Sequence, residues 1–364
     1  VVGDIYALFA SLSHPTTIDM ADAANAKSWL LRALRDIVPL AALLIVVGVF
    51  TLLDRIYGQG HFFSLINLFN IVCNNAFITI GALGMMLVIA AGGIDLSAGT
   101  MLGLSCAVLA TGLASRFTVV IFGVAIFTPG PGSWLLLAIL VGGVCGAING
   151  SIVSAFRVAP FIVTLGTMVI FLGIARILAG DSTVSPKGVP DWLGDAVAPF
   201  NFRLAYGWLP LIPLGIALEL LLAAALAFLM RKTIFGRHII AIGSNEAAAR
   251  LSGIRVTLVR IAVYGLAGMC FGLAGSMLFP SVTNYTPSMG LGRELDLIAA
   301  VVIGGGSLKG GKAPVLGTVV GSLLIAVIRS GCTQIGVSQP WEYIIIGLII
   351  IAAVLFDRAA GRGD

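Results

Sequence analysis

The sequence predicts an all-α fold, a polytopic membrane helix bundle of about ten transmembrane helices with broken or re-entrant segments and both termini cytoplasmic. Three observations predict it. The 364 residues are 59% hydrophobic and 10% charged, with a mean hydropathy of +1.08, far more apolar surface than a water-soluble domain needs. The apolar residues come in runs of membrane-crossing length. Most of the 21 Lys and Arg fall in the segments that this threading leaves inside.

Residues 1–35 read as a polar cytoplasmic tail ending in Lys27, Arg32 and Arg35, and no Ala-x-Ala cleavage pattern follows the first apolar run. The membrane domain spans 36–358. Its apolar windows centre on 37–53, 65–91, 96–115, 134–156, 160–180, 209–230, 261–280, 294–306, 314–331 and 341–356. The window 294–306 is short and begins with Glu294 and Asp296, and a further apolar run at 117–127 is interrupted by Pro129 and Pro131. Residues 359–364 form a second cytoplasmic tail.

The longest outer loop is 181–208, with interfacial Trp192, Tyr206 and Trp208. The longest inner one is 231–260, and it holds the one polar helix signal of any length. Asn245 is an N-cap residue, Glu246 places a negative charge in the first turn, Ala247, Ala248 and Ala249 favour helix, and Gly253 supplies a left-handed stop. These signals predict a helix over about 245–252. A rod of about eight residues is only ~12 Å long and must dock on something to be stable.

Two glycine clusters, GGIDLSAG (Gly92–Gly99) and GGGSLKGG (Gly304–Gly311), end one span and start the next. They predict helix breaks at Gly92, Gly93 and Asp95 and at Gly304, Gly305 and Gly306, where exposed backbone at membrane depth needs protein or a wet path around it. Aligning Gly92, Gly93, Leu96 and Gly99 with Gly304, Gly305, Leu308 and Gly311 suggests an internal repeat. Small residues at four-residue spacing, such as Gly142, Gly146 and Gly150, read as packing faces within one chain. Asn67, Asn70 and Asn74 share a helical face, with Asn75 beside it. Together with Asn149, Phe161, Thr164 and Thr167 of other spans, Asn74 and Asn75 are candidates for a translocation path, their amides and hydroxyls suiting a neutral polyol. The same groups are also suited to gluing helices together. Glu219, in the middle of an apolar span, needs a partner, a proton or a polar cavity, whereas Asp95, nearer the boundary, is easier to hydrate.

Several classes are excluded. GSLKGGKA (306–313) resembles a phosphate loop but has Ala313 where the magnesium-binding hydroxyl belongs and joins two membrane spans, so no nucleotide or other cofactor is expected on this chain. No Ser/His/Asp set, HExxH or paired intramembrane aspartates is present, so no catalytic role is expected. The five cysteines are isolated, without metal-ligand spacing, and the scattered basic residues do not suggest nucleic acid.

Four motifs in order, GGIDLSAG, PFIVTLGTM (Pro160–Met168), FGRHIIAIGSNEAAARLSGI (Phe235–Ile254) and ELDLIAAVVIGGGSLKGG (Glu294–Gly311), resemble the permeases of ribose- and galactose-type ABC importers. The resemblance covers most of the chain after residue 36. It leaves out residues 1–35 and the apolar insert 117–132. It implies a permease dimer, usually of identical subunits, embedded in lipid, with ABC ATPase subunits inside and a periplasmic sugar-binding protein outside. It makes Ser244, Asn245, Glu246, Ala247, Ala248, Ala249, Arg250, Leu251 and Gly253 similar to the cytoplasmic coupling helix that importers seat on their ATPases, with one more residue between Ala248 and Gly253 than the general importer pattern has. Two other readings are a self-contained transporter or channel using Asp95 or Glu219 as a proton site, and a permease for branched-chain amino acids. The scarcity of ionisable residues in the spans favours the neutral solute.

Overall fold

The computed structural model describes residues 38–58, 60–114, 119–121, 124–127, 130–187, 189–195 and 213–360. The chain there is helical apart from one short hairpin. Its helices are α1 (Val38–Tyr57), α2 (Leu65–Ala90), α3 (Ala98–Ala114), α4 (Pro131–Phe156), α5 (Pro160–Leu178), α6 (Asp191–Asp195), α7 (Leu214–Lys232), α8 (Ile234–Ser244), α9 (Glu246–Leu251), α10 (Val256–Val282), α11 (Arg293–Ile303), α12 (Val315–Gln334) and α13 (Gln339–Ala360).

Among the described residues, 7 helices are long and apolar enough to cross a membrane: α1, α2, α4, α5, α7, α10 and α12. The protein is a polytopic helical membrane protein. All ten predicted windows fall on helices; the three outside this set lie on α3, α11 and α13. With 17 and 11 residues, α3 and α11 rise only about 26 Å and 17 Å, short of a hydrocarbon core of about 30 Å.

The described residues of the further apolar run at 117–127 are strands rather than helix. Its β-branched residues pair Val119–Ile121 with Val124–Phe127 as an antiparallel hairpin (β1 and β2), and α4 starts at Pro131, where a missing N–H costs nothing. The predicted tail 1–35, the outer-loop residues 196–208 with Tyr206 and Trp208, and residues 361–364 lie outside the described residues.

The centre of the bundle is α10, packed on α4, α2 and α3. Its seam with α4 is built of glycines: a Cβ on Gly142 would strike the backbone of Gly268 and Gly272, and one on Gly146 the carbonyl of Tyr264. These small-residue faces are therefore contacts within one chain, as the spacing predicted. Around the rim, α1 exposes Leu44, Ile45, Leu52 and Ile56, a surface suited to lipid.

Candidate functional site

Two polar regions stand out, one at each end of the bundle. The first is the junction beneath α9. Thr233 caps α8 by accepting from the Gly236 N–H, and the chain then reverses at Asn245, which leaves helical geometry (φ −159, ψ 100) and accepts from the Ala248 N–H at 3.0 Å. Helix α9 follows for six residues. It stops at Gly253, whose φ of +82 closes the Gly253 N–H to Arg250 carbonyl bond at 3.0 Å and the Ile254 N–H to Ala249 carbonyl bond at 3.1 Å. The predicted helix over 245–252 is observed with its predicted cap and stop.

Only Ala249 of α9 is buried; Ala247 and Ala248 are exposed and Leu251 is 91% exposed. Glu246 turns back toward the bundle. Its Oε1 accepts from Arg250 Nη2 at 2.7 Å and its Oε2 from Arg260 Nη2 at 2.6 Å. Partial burial pushes this carboxyl up, but the two guanidinium groups outweigh it and hold Glu246 below the usual carboxylate range.

The end of α8 rests on both glycine breaks. Gly311 N–H donates to the Ala90 carbonyl at 3.0 Å, and a Cβ on Gly243 would strike Ala90 O and Gly311 N. The breaks themselves share one turn. In α2 the N–H groups of Ala91, Gly92 and Gly93 bond the carbonyls of Leu87, Ile89 and Val88 at 3.1, 2.9 and 2.9 Å. In α11 those of Gly304, Gly305 and Gly306 bond Ala300, Val302 and Val301 at 3.1, 2.9 and 2.8 Å. Gly92 (φ +80) thus corresponds to Gly305 (φ +87), and Gly93 to Gly306. The alignment of Gly92 with Gly304 was off by one residue, because three glycines in a row offer two registers and only the left-handed position decides between them.

Asp95 departs from expectation. It is fully buried rather than hydrated: Ser97 donates to its Oδ1 from both backbone N–H (2.9 Å) and hydroxyl (2.6 Å), and Asn149 Nδ2 donates to Ser97 Oγ at 2.8 Å. Thr164 grips the same loop, accepting from the Leu96 N–H at 3.0 Å and donating to the Ile94 carbonyl at 3.3 Å. The chain after Gly93 folds inward between α4 and α5, so side chains replace the water that the boundary position suggested.

The second region is a groove of about 440 Å³ at the opposite end of α2, lined by Asn67, Asn70, Asn74, Asn75, Arg293 and Arg329 among others. Its arginines are neutralised. Arg329 Nη2 donates to Asp296 at 2.8 and 2.9 Å and its Nη1 lies 3.0 Å from Glu342 Oε1, a charge contact rather than a well-aligned hydrogen bond. Arg293 reaches Asp296 at 3.2 Å and stacks over Phe77 at 5.7 Å. Below the groove, Asn75 Nδ2 donates to Thr79, whose hydroxyl meets that of Ser322 at 2.8 Å. The Thr79 hydroxyl also stands beside buried Glu219, whose Oε2 has no hydrogen-bond partner among the described residues.

The six candidate path residues do not form one group. Asn74 and Asn75 line the groove; Asn149 and Thr164 hold the first helix break, with buried Thr167 bonded to the Thr164 carbonyl at 3.3 Å; Phe161 is half-exposed on the outside of α5. Arg293, Asp296, Arg329 and Glu342 were not among the candidates. The charges opening the short window at 294–306 were the available signal.

Fold and sites together define a multi-pass membrane component with a short exposed helix at one end and a polar groove at the other. Residues 67–354 match the family described as branched-chain amino acid transport system / permease component, and the chain belongs to this permease family. It is a translocation component rather than an enzyme. It is 34% identical over 332 residues to the ribose import permease protein of Escherichia coli, covering 91% of this chain and 95% of that one. It is 38% identical over 308 residues to the galactose/methyl galactoside import permease protein of Escherichia coli (83% and 89%), and 31% identical over 325 residues to the fructose import permease protein of Rhizobium meliloti (88% and 85%). No solved structure matches it significantly.

Proposed function

We propose that this chain is the translocation subunit of an ATP-binding cassette importer in a bacterial inner membrane, passing a neutral monosaccharide or related polyol delivered by a periplasmic binding protein. Relatives that import ribose, galactose and fructose support the substrate class. The groove supports it too, since amides and cancelled charges suit a hydroxyl-rich, uncharged solute. Asn74 and Asn75 belong to the path, and Asn149, Thr164 and Thr167 hold the helix break at the other end of α2.

In this reading two identical copies form the conduit. The membrane domain 36–358 crosses about ten times, with α3 and α11 as partial or re-entrant passes, and both tails, 1–35 and 359–364, lie in the cytoplasm. The loop 181–208 is periplasmic. The loop 231–260 meets the ATPases through Ser244–Gly253, so that ATP-driven closure of the ATPases moves α9 and shifts the bundle between its two openings.

One observation carries the proposal: α9 is capped at both ends, exposed on Ala247, Ala248 and Leu251, and joined directly to the end of α8 that rests on both helix breaks. The test is Ala248→Glu with Leu251→Asp. The ATPase should no longer co-purify and uptake of labelled ribose, galactose or fructose should fall by more than about tenfold, as expected when charges are buried unpaired in an interface. Normal ATPase binding by this variant would refute the assignment.

A further inference from the structure

The outward face of α9 explains how a partner grips the rod, but not how movement of the rod reaches the conduit. Glu246 supplies an answer because its carboxylate bonds two arginines with different consequences. The Arg250 pair stays within α9 and transmits nothing. The Arg260 pair crosses to α10 at 2.6 Å, and Arg260 is only 12% exposed, so its guanidinium is confined near Glu246.

Tyr264 lies one turn beyond Arg260, on the same face of α10. Gly146 of α4 packs against its carbonyl, and Gly150 against its Cβ and the backbone of Arg260 and Ile261, which stiffens this turn of the helix. Its hydroxyl lies against Gly93, where an added Cβ would strike it, and the side chain is within electrostatic reach of both Arg260 and Asp95. Both Tyr264 Oη and Asp95 Oδ2 are buried and without a hydrogen-bond partner among the described residues. A donor and an acceptor left unpaired on facing elements make a bond available to a small shift of the loop against α10.

We propose that the Glu246–Arg260 ion pair is the strut that carries movement of α9 into α10, and that Tyr264 passes it to the helix-break loop at Gly93–Asp95, bonding the Asp95 carboxylate in one of the two transport states. Arg260 and Tyr264 are positioning residues outside the Ser244–Gly253 docking stretch, and Glu246 joins that stretch to them through its Oε2. This rests on the reading of α9 as the docking helix.

The experiment uses the whole transporter in proteoliposomes, assembled with the ATPase and binding protein that co-purify with it, and reads ATP hydrolysed against labelled ribose, galactose or fructose taken up. Arg260→Glu should leave the ATPase bound, lower uptake at least about tenfold and raise the ATP spent per sugar; Glu246→Arg should lower uptake as far, and the exchanged pair should recover to within about threefold. Tyr264→Phe should lower uptake about fivefold, and combining it with Glu246→Arg should add little, as expected for one pathway. Where Glu246→Arg fails to accumulate, Glu246→Gln carries the same expectation at smaller amplitude. An exchanged pair as impaired as either single variant overturns the strut, and so does loss of the ATPase from Arg260→Glu. An unmodified chain that binds no ATPase overturns the proposed function instead.

Discussion

α2 and α11 end in the same left-handed glycine turn, with matching hydrogen bonds, yet the chain that leaves each turn is held in opposite ways. After Gly93 it goes inward, and polar side chains from α4 and α5 specify it: Asn149 and Thr164 bond the segment holding buried Asp95 and Ser97. After Gly306 it stays near the surface with exposed Lys309 and Lys312, closed by the Ser307 N–H to Lys312 carbonyl bond at 2.8 Å and by close approach to Gly243. The same turn thus serves one loop fixed by side-chain chemistry and another fixed by bare backbone, and the two should fail under different substitutions.

The largest effect is expected from Gly310→Ala. The residue has φ +90 and its Cβ would meet Gly243 O and Gly92 Cα, backbone that cannot rotate away. Left-handed strain of about 1 kcal/mol and overpacking of about 1–3 kcal/mol predict a loss of about 2–4 kcal/mol. Gly92→Ala, with φ +80 but neighbours at ordinary contact distance, should lose only about 1 kcal/mol. Thermal unfolding of the purified chain in detergent compares them, and equal losses would mean that the backbone approach contributes nothing.

An intermediate effect is expected where side chains do the holding. Asn149→Ala removes the donor to Ser97 inside the bundle and should cost about 1–3 kcal/mol. Ser307→Ala, whose hydroxyl accepts only a 3.4 Å bond from the Lys309 N–H, should stay within about 0.5 kcal/mol of the parent. Reversal of that order in the same unfolding assay would overturn the contrast between the loops.

The smallest effect concerns pH at α9, which follows the α8 end resting on both breaks. Because the folded chain holds Glu246 below its ordinary carboxylate range, the ion pairs contribute fully above that range and are lost only as pH falls through the depressed value. Uptake coupled to ATP should therefore not change through this pair between neutral and mildly acidic pH. Glu246 is 41% exposed, so moderate salt should weaken the pairs slightly. A titration of Glu246 by NMR at or above the usual carboxylate range would contradict the geometry.

What was legible in the sequence was local. Asn245, Glu246 and Gly253 announce a helix start and stop within a few residues of each other, and the glycines at 142, 146, 268 and 272 announce close helix contact by spacing alone. The breaks at Gly92 and Gly305 were equally readable, but their correspondence was not, since it depends on which glycine is left-handed. The grouping of polar residues was illegible because helical spacing aligns Asn67, Asn70 and Asn74 on one face without saying which helix that face meets. The groove charges were missed for the same reason: Asp296 and Arg329 are 33 residues apart, and Glu294 and Asp296 looked like defects in a span. Glu219 could be flagged as costly, but the hydroxyl beside it belongs to another helix.

In the proposed docking role, the shortness of α9 sets the kind of motion it can deliver. A six-residue rod is about 9 Å long, and both its feet are fastened, one to the glycine junction through α8 and the other to α10. Such a bracket has no room to slide, so it can only tip. Tipping is enough, because the 27 residues of α10 make an arm about 40 Å long, and tilting that arm by about 10° at its root swings its tip by about 7 Å. Leverage, rather than travel, is what so small a grip provides.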